Sequence, residues 1–301
     1  MLPPFYYARS FWYTYMGGRT ERKAPDAGGN AMKDISTAPF LIKMVQTITE
    51  MYRQGWDERN GGNISLLLDE AEVAEYLDLT KVLRAIPTGF EAPELEGRYF
   101  LVTCTGSYFR NVQYDPETDL GILRLADGGR TAELLWGYKG GGQFTSEFAA
   151  HILSHAARLS VDPESRVILH CHPAGLIAMT YVHDLDEREF TRTLWRMETE
   201  CMIVFPDGVN VLPWMLCGTN EIGQATAEKM KTARLVVWAQ HGIYGAGRDL
   251  DEAFGLIETA EKAAGIWLRI AHLPIKQTLS DADLKLIAER FGGKPREGWL
   301  D

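Results

Sequence analysis

A layered α/β domain, with helices packed on a mixed or largely antiparallel sheet, is the fold class this sequence predicts. Three observations predict it. Helical and strand-like stretches alternate, but irregularly. Two strand-like runs lie close together around the Asp127-Gly128-Gly129 turn. No internal repeat or low-complexity linker breaks the chain after residue 40. The 301 residues are 46% hydrophobic and 24% charged, enough to bury a core of full domain size. Disorder, a collagen-like repeat and a disulfide-stapled miniprotein are thereby excluded.

Taken in order, residues 1–33 stand apart. Phe5, Tyr6, Tyr7, Phe11, Trp12, Tyr13 and Tyr15 crowd the first fifteen positions, followed by Gly, Arg, Lys and Pro. With no lysine-led start and no clean aliphatic stretch, this is not a signal peptide. It reads as an N-terminal extension, either disordered or included by an early start-codon assignment, with an aromatic docking arm as the alternative. Residues 34–301 are expected to form a single domain. From Phe40, the residues Leu41, Met44, Val45, Ile48, Met51 and Tyr52 recur at helical spacing until Gly55. Asn60-Gly61-Gly62-Asn63 then reads as a turn into a strand from Ile64 to Leu68. Further strands are expected at Tyr99–Cys104, Gly121–Leu125, Glu133–Trp136, Arg166–His170, Cys201–Phe205 and Leu235–Trp238. Helices are expected at Ser146–Leu159, Glu187–Glu198, Asn220–Lys231 and Leu250–His272, the last ended by Pro274.

The formal charge of -10, from 31 Lys+Arg against 41 Asp+Glu, argues against a nucleic-acid partner, because phosphate neutralisation needs a basic surface. Any anion must be bound locally. No stretch reaches the roughly 18 apolar residues that span a bilayer, so no membrane partner is expected. The four cysteines, Cys104, Cys171, Cys201 and Cys217, show no Cys-x-x-Cys spacing. Cytoplasmic localisation in a reducing compartment is the simplest expectation.

Chemistry concentrates in a few places. If Val167–Pro173 is a strand end, His170 and His172 share one face about 7 Å apart while Cys171 points the other way. Two such imidazoles can share a metal ion, or be structural. His241, where a strand runs into a Gly-containing loop, is either a third ligand or a buried or capping histidine. Three histidines with an open fourth position make a catalytic rather than a structural zinc site. Glu147, His151 and His155 fall on one helix face, as a competing metal pair or as a partly exposed face. Glu147 follows Thr145-Ser146 in a helix first turn, where free N–H groups can meet a phosphate. Asn60-Gly61-Gly62-Asn63 and Thr105-Gly106 have the composition of anion cradles, or of plain turns.

At these residues the chain, from Asp34 to Gly293, resembles the class II aldolase/adducin family. The resemblance is carried by residues 55–63 (Gly-Trp-Asp-Glu-Arg-Asn-Gly-Gly-Asn), Phe109–Gln113, Thr145-Ser146-Glu147 and His170-Cys171-His172. It continues through Thr199-Glu200-Cys201, Val204–Val209, Leu212–Met215, Gly218–Ala227 and His241-Gly242. It implies a three-layer α/β/α fold with a central mainly antiparallel sheet, assembled as a homotetramer. It further implies one Zn²⁺ per subunit on His170, His172 and His241, with Glu200 taking the fourth position when substrate is absent. Glu147 becomes the catalytic carboxylate, and the phosphate lies against Asn60, Gly62, Asn63, Thr105, Gly106, Thr145 and Ser146. One departure is that Ser107 stands where family members carry lysine.

The reaction so implied is reversible cleavage of L-rhamnulose 1-phosphate to dihydroxyacetone phosphate and L-lactaldehyde, a step of L-rhamnose catabolism. Zn²⁺ would replace the Schiff-base lysine of the other aldolase class. The alternatives are a related fuculose- or ribulose-phosphate enzyme, a zinc hydrolase, and a non-catalytic adducin-like binding module.

Overall fold

Pro39 at the first helical position, with Phe40, Leu41, Met44, Ile48 and Met51 buried along one side, makes α1 (Pro39–Arg53). The computed structural model describes residues 32–300. The extension expected over residues 1–33 lies outside the described residues except for Met32 and Lys33. Lys33 donates its backbone N–H to Glu75 O at 2.9 Å.

After α1 come β1 (Asn63–Leu68), α2 (Glu70–Ala74), β2 (Arg84–Pro87) and β3 (Tyr99–Thr103). The short helices α3 (Phe109–Val112) and α4 (Pro116–Asp119) lead into the hairpin of β4 (Leu120–Ala126) and β5 (Thr131–Gly137). The second half runs α5 (Phe148–Leu159), β6 (Val167–Cys171), α6 (Ala174–Val182), α7 (Glu187–Trp195), α8 (Thr199–Val204) and β7 (Val209–Leu212). It ends with α9 (Asn220–Met230), β8 (Leu235–Trp238), β9 (Gly242–Gly247), α10 (Leu250–Ile270) and α11 (Asp281–Phe291). The nine strands form one sheet in the order β2-β5-β4-β3-β1-β6-β9-β8-β7, antiparallel at every pair except β7–β8.

Strand periodicity divides the core. Val167, Leu169 and Cys171 of β6 join the apolar faces of α1, α6, α7, α8, α10 and α11. Ile168 points the other way, to α5 and α9, with Val236, Trp238 and Tyr244 of the neighbouring strands. The result is the expected three layers, helices on both faces of a mainly antiparallel sheet. Among the described residues no helix is long and apolar enough to cross a membrane.

Two expectations are corrected. The Cys201–Phe205 run is not a strand but most of α8, and the residues it buries, Cys201, Met202 and Phe205, are spaced for a helix. Trp195, fully buried, donates Nε1–H to Phe205 O at 3.0 Å and fastens the end of α8 to α7. The segment after His241, taken as a loop on account of its glycines, is β9. Its six residues are all buried, and a Cβ on Gly245 or Gly247 would press into α10 at Ile257 and Ala253.

Candidate active site

The centre of the sheet sets a row of three side chains. Asn63 of β1 lies opposite His170 of β6, and His170 lies opposite Tyr244 of β9. Partners in register share a face. An amide, an imidazole and a phenol therefore stand side by side beneath α5. Glu147 caps the N-terminus of α5 and meets the whole row. Its Oε2 accepts from Asn63 Nδ2 at 2.9 Å and from the Tyr244 hydroxyl at 3.0 Å, and lies 3.4 Å from His170 Nε2. Burial, reinforced by the Glu147 charge and by the hydrogen bond itself, raises the Tyr244 phenol well above its ordinary range, so it remains an O–H donor.

His170 is fully buried. Burial, then the neighbouring His172 and His241, hold it well below the usual histidine value, so it is neutral. Its Nδ1–H donates to Ile243 O at 2.9 Å, which leaves Nε2 as a bare lone pair. That atom is buried without a hydrogen-bond partner and faces a carboxylate oxygen. Lone pair against carboxylate is repulsive, and a cation between them relieves it.

His172 sends Nδ1 to the Glu58 carboxylate at 3.0 and 3.1 Å, and its backbone N–H donates to Trp56 O at 2.8 Å. His241 sits in the turn between β8 and β9. Gln240 before it adopts a left-handed backbone (φ 58°) and is pinned by its N–H to Thr180 Oγ1 at 3.0 Å and by its amide to Thr180 O at 3.1 Å. Such a conformation costs a non-glycine residue roughly 1 kcal/mol and marks a turn held for a purpose. Burial lowers His241, which the Glu147 charge partly opposes.

The three rings form a near-equilateral triangle, with centroids 5.0 Å (His170–His172), 5.1 Å (His170–His241) and 5.0 Å (His172–His241) apart. One ligand atom from each lies within 4.8 Å of the others. Three imidazoles with ligand atoms this close, one of them with an orphaned buried nitrogen, fit a divalent ion such as Zn²⁺.

A cavity of about 290 Å³ opens beside the triangle. Its lining includes Asn60, Gly61, Gly62 and Asn63, Thr105 and Gly106, Thr145, Ser146 and Glu147, and His172 and His241. The loop at Gly62 has no room for a side chain. With φ at 78°, a Cβ there would lie 1.8 Å from Asp57 Oδ1. Ser107 is absent from the lining. It is buried, with Oγ donating to Asp119 O at 3.4 Å.

Not every expected residue arrives. Glu200 is exposed in the first turn of α8, beside Lys262, and is not among the described groups whose ligand atoms gather. The fourth ligand position that the resemblance implies for Glu200 is thus not assembled by the structure, in which the first turn of α8 carries it outward. His151 and His155, the competing pair, gather with no third ligand, and neither is partly exposed; both are completely buried. Sequence reasoning also missed Arg59, Glu58, Tyr244 and Cys217. Arg59, at φ 52°, lines the cavity as a cation. Cys217 brings a thiol within 4.8 Å of ligand atoms of Glu147 and His241. Arg59 lay inside the stretch 55–63 that carries the resemblance, next to the Asn60–Asn63 turn, and strand parity could have found Tyr244 opposite His170.

Comparison with known proteins places the chain among relatives. The family model described as Class II Aldolase and Adducin N-terminal domain matches residues 42–268. The chain is 56% identical over 270 residues to rhamnulose-1-phosphate aldolase of Listeria monocytogenes serotype 4b (strain CLIP80459), covering 89% of this chain and 99% of that one. It is 46% identical over 267 residues to rhamnulose-1-phosphate aldolase of Escherichia coli O1:K1 / APEC, covering 88% and 97%. Among solved structures, a sugar-phosphate aldolase from Thermotoga maritima superposes with a TM-score of 0.68 at 30% identity, covering 79% of this chain and 97% of that one. The chain belongs to the class II aldolase and adducin family.

Proposed function

We propose that this chain is a zinc-dependent aldolase that reversibly cleaves L-rhamnulose 1-phosphate to dihydroxyacetone phosphate and L-lactaldehyde, in L-rhamnose catabolism. One observation carries the chemistry: the bare Nε2 of His170, buried within the histidine triangle and facing Glu147. The substrate is supported by the shared name of relatives that span nearly the whole described chain.

His170, His172 and His241 would hold the ion, and Zn²⁺ bound there supplies Lewis acidity toward the ketose oxygens and the negative charge that develops as the carbon–carbon bond breaks. Glu147 Oε2 moves the proton at the carbon that gains this charge, held in place by the amide of Asn63 and the hydroxyl of Tyr244. The loop at Asn60, Gly62 and Asn63, with Thr105, Gly106, Thr145 and Ser146, offers hydroxyls and backbone N–H groups to the phosphate. Arg59 adds a charge to that lining. We further assign one Zn²⁺ per subunit, a homotetramer, and a cytoplasmic location, the last supported by four free cysteines.

Zinc content measured together with release of dihydroxyacetone phosphate tests this reading. The expectation is one zinc per chain and cleavage of L-rhamnulose 1-phosphate at least tenfold faster, as kcat/KM, than of L-fuculose or L-ribulose phosphates. Faster turnover of an epimer would reassign the substrate, and a metal-free active protein would overturn the mechanism.

A further inference from the structure

From Glu147 and Asn63 at the cavity, five side chains form an unbroken line into the core: Glu147, Asn63, His151, Ser65 and His155. Every member is at most 7% exposed, and Ser65, His151 and His155 are fully buried. Glu147 Oε2 accepts from Asn63 Nδ2 at 2.9 Å, and Asn63 Oδ1 meets His151 Nε2. His151 Nδ1 lies 2.7 Å from Ser65 Oγ, which lies 2.8 Å from His155 Nε2.

The proton positions along this line follow from valence. Asn63 spends its amide N–H on the carboxylate, so its oxygen faces His151, and an oxygen only accepts. His151 Nε2 must then carry the proton. A neutral imidazole has one N–H, so His151 Nδ1 is bare and accepts from the Ser65 hydroxyl. That hydroxyl has no second proton, so Ser65 Oγ accepts from His155 Nε2–H. His155 Nδ1 is left bare, and it is the one nitrogen of the line with no hydrogen-bond partner. Both histidines are neutral. Burial pulls each down to about 3, with His155 adding to the effect on His151, and the nearby carbonyls of Ile168 and Ser65 offset only part of it.

The reverse polarity is excluded for an ionised Glu147. It would turn Asn63 Oδ1 against the carboxylate and put a buried proton on His155 Nδ1 with nothing to receive it, a costlier orphan than a lone pair. All donors therefore point one way, from the core to Glu147.

We propose that His151, backed by Ser65 and His155, is a positioning residue for the aldol reaction: it locks the Asn63 amide so that its N–H faces Glu147 and keeps that carboxylate an acceptor of protons. The proposal rests on Glu147 being the proton-moving group, and it deepens that reading by naming what holds the group ready.

Two measurements on the zinc-loaded protein test it. In ¹⁵N-histidine-labelled protein at neutral pH, the nitrogen shifts of His151 and His155, assigned by single replacement, are expected to show both as Nε2–H tautomers. An Nδ1–H tautomer at either site overturns the proposal, whatever Glu147 does. Kinetically, His151→Leu is expected to lower kcat about 10- to 100-fold, the range for losing an orienting partner behind a reactive group. KM should change less than about threefold and zinc should stay at one per chain. His151→Gln, whose amide N–H can stand where Nε2–H stood, is expected to recover at least a third of the lost activity on a logarithmic scale. A kcat in His151→Leu equal to the parent's, or no recovery in His151→Gln when both variants are folded and zinc-loaded, overturns it. If Glu147→Gln is fully active while the tautomers are as stated, the reading of Glu147 fails and the hydrogen-bond line stands.

Discussion

Glu147 is the side chain on which the site turns. It meets both the cavity and a buried hydrogen-bond line, with Tyr244 as a second donor to the same oxygen. Glu147→Gln preserves shape and removes the ability to accept a proton. The expected result is unchanged zinc content by elemental analysis and a kcat lower by about 10²-fold or more, the usual contribution of a positioned acid–base group. Near-parental turnover would remove Glu147 from that role. At this scale the sequence is most legible where residue type carries the chemistry. His170, His172 and His241 could be named because few other residues bind metal, whereas the catalytic role of Glu147 came from the family resemblance. Tyr244 and Cys217 were not named, because their contribution depends on which strand or turn brings them near; Glu200 was named by resemblance alone, and the structure sets it at the exposed start of α8.

At the scale of elements, α5 does more than present Glu147. It carries His151 and His155 into the core as neutral groups lowered to about 3 from the ordinary 6.5. Between those values the unfolded chain binds protons that the folded chain refuses. Stability therefore falls as the pH drops through 6.5 toward 3, by up to about 3 kcal/mol per pH unit for the two groups together. His155→Gln removes one of them. In protein stripped of metal by a chelator, its unfolding free energy from urea titrations between pH 7 and 5 is expected to decline less steeply than the parent's, and equal slopes would contradict this. The helices α1 and α10 were legible because each buries one face and exposes another, which leaves a periodic trace. The strand β9 was not, because its alternate glycines make room for α10 and look like loop residues. The run in α8 misled for the opposite reason: five apolar residues in succession suit a buried strand as well as a short buried helix.

At the scale of the whole molecule, a chain of net charge -10 attracts a sugar phosphate only at close range, through Arg59 and the backbone N–H groups of the cavity. Screening should therefore not slow capture. As ionic strength rises from about 10 to 200 mM, over which the Debye length shrinks from roughly 30 Å to under 10 Å, kcat/KM for the sugar phosphate is expected to stay level or rise. A tenfold fall would reveal long-range attraction that the composition does not suggest. The row of Asn63, His170 and Tyr244 has a further consequence, for how the family's sequences can drift. Each of the three faces α5 because of its odd or even place along its strand, so a single residue inserted or deleted between any one of them and the core-facing residues of its own strand β1, β6 or β9 turns that side chain to the opposite layer. Gains and losses of two residues preserve parity, whereas a single one must be absorbed by a bulge or lost with the activity. Length changes that survive in these three strands should therefore come in pairs.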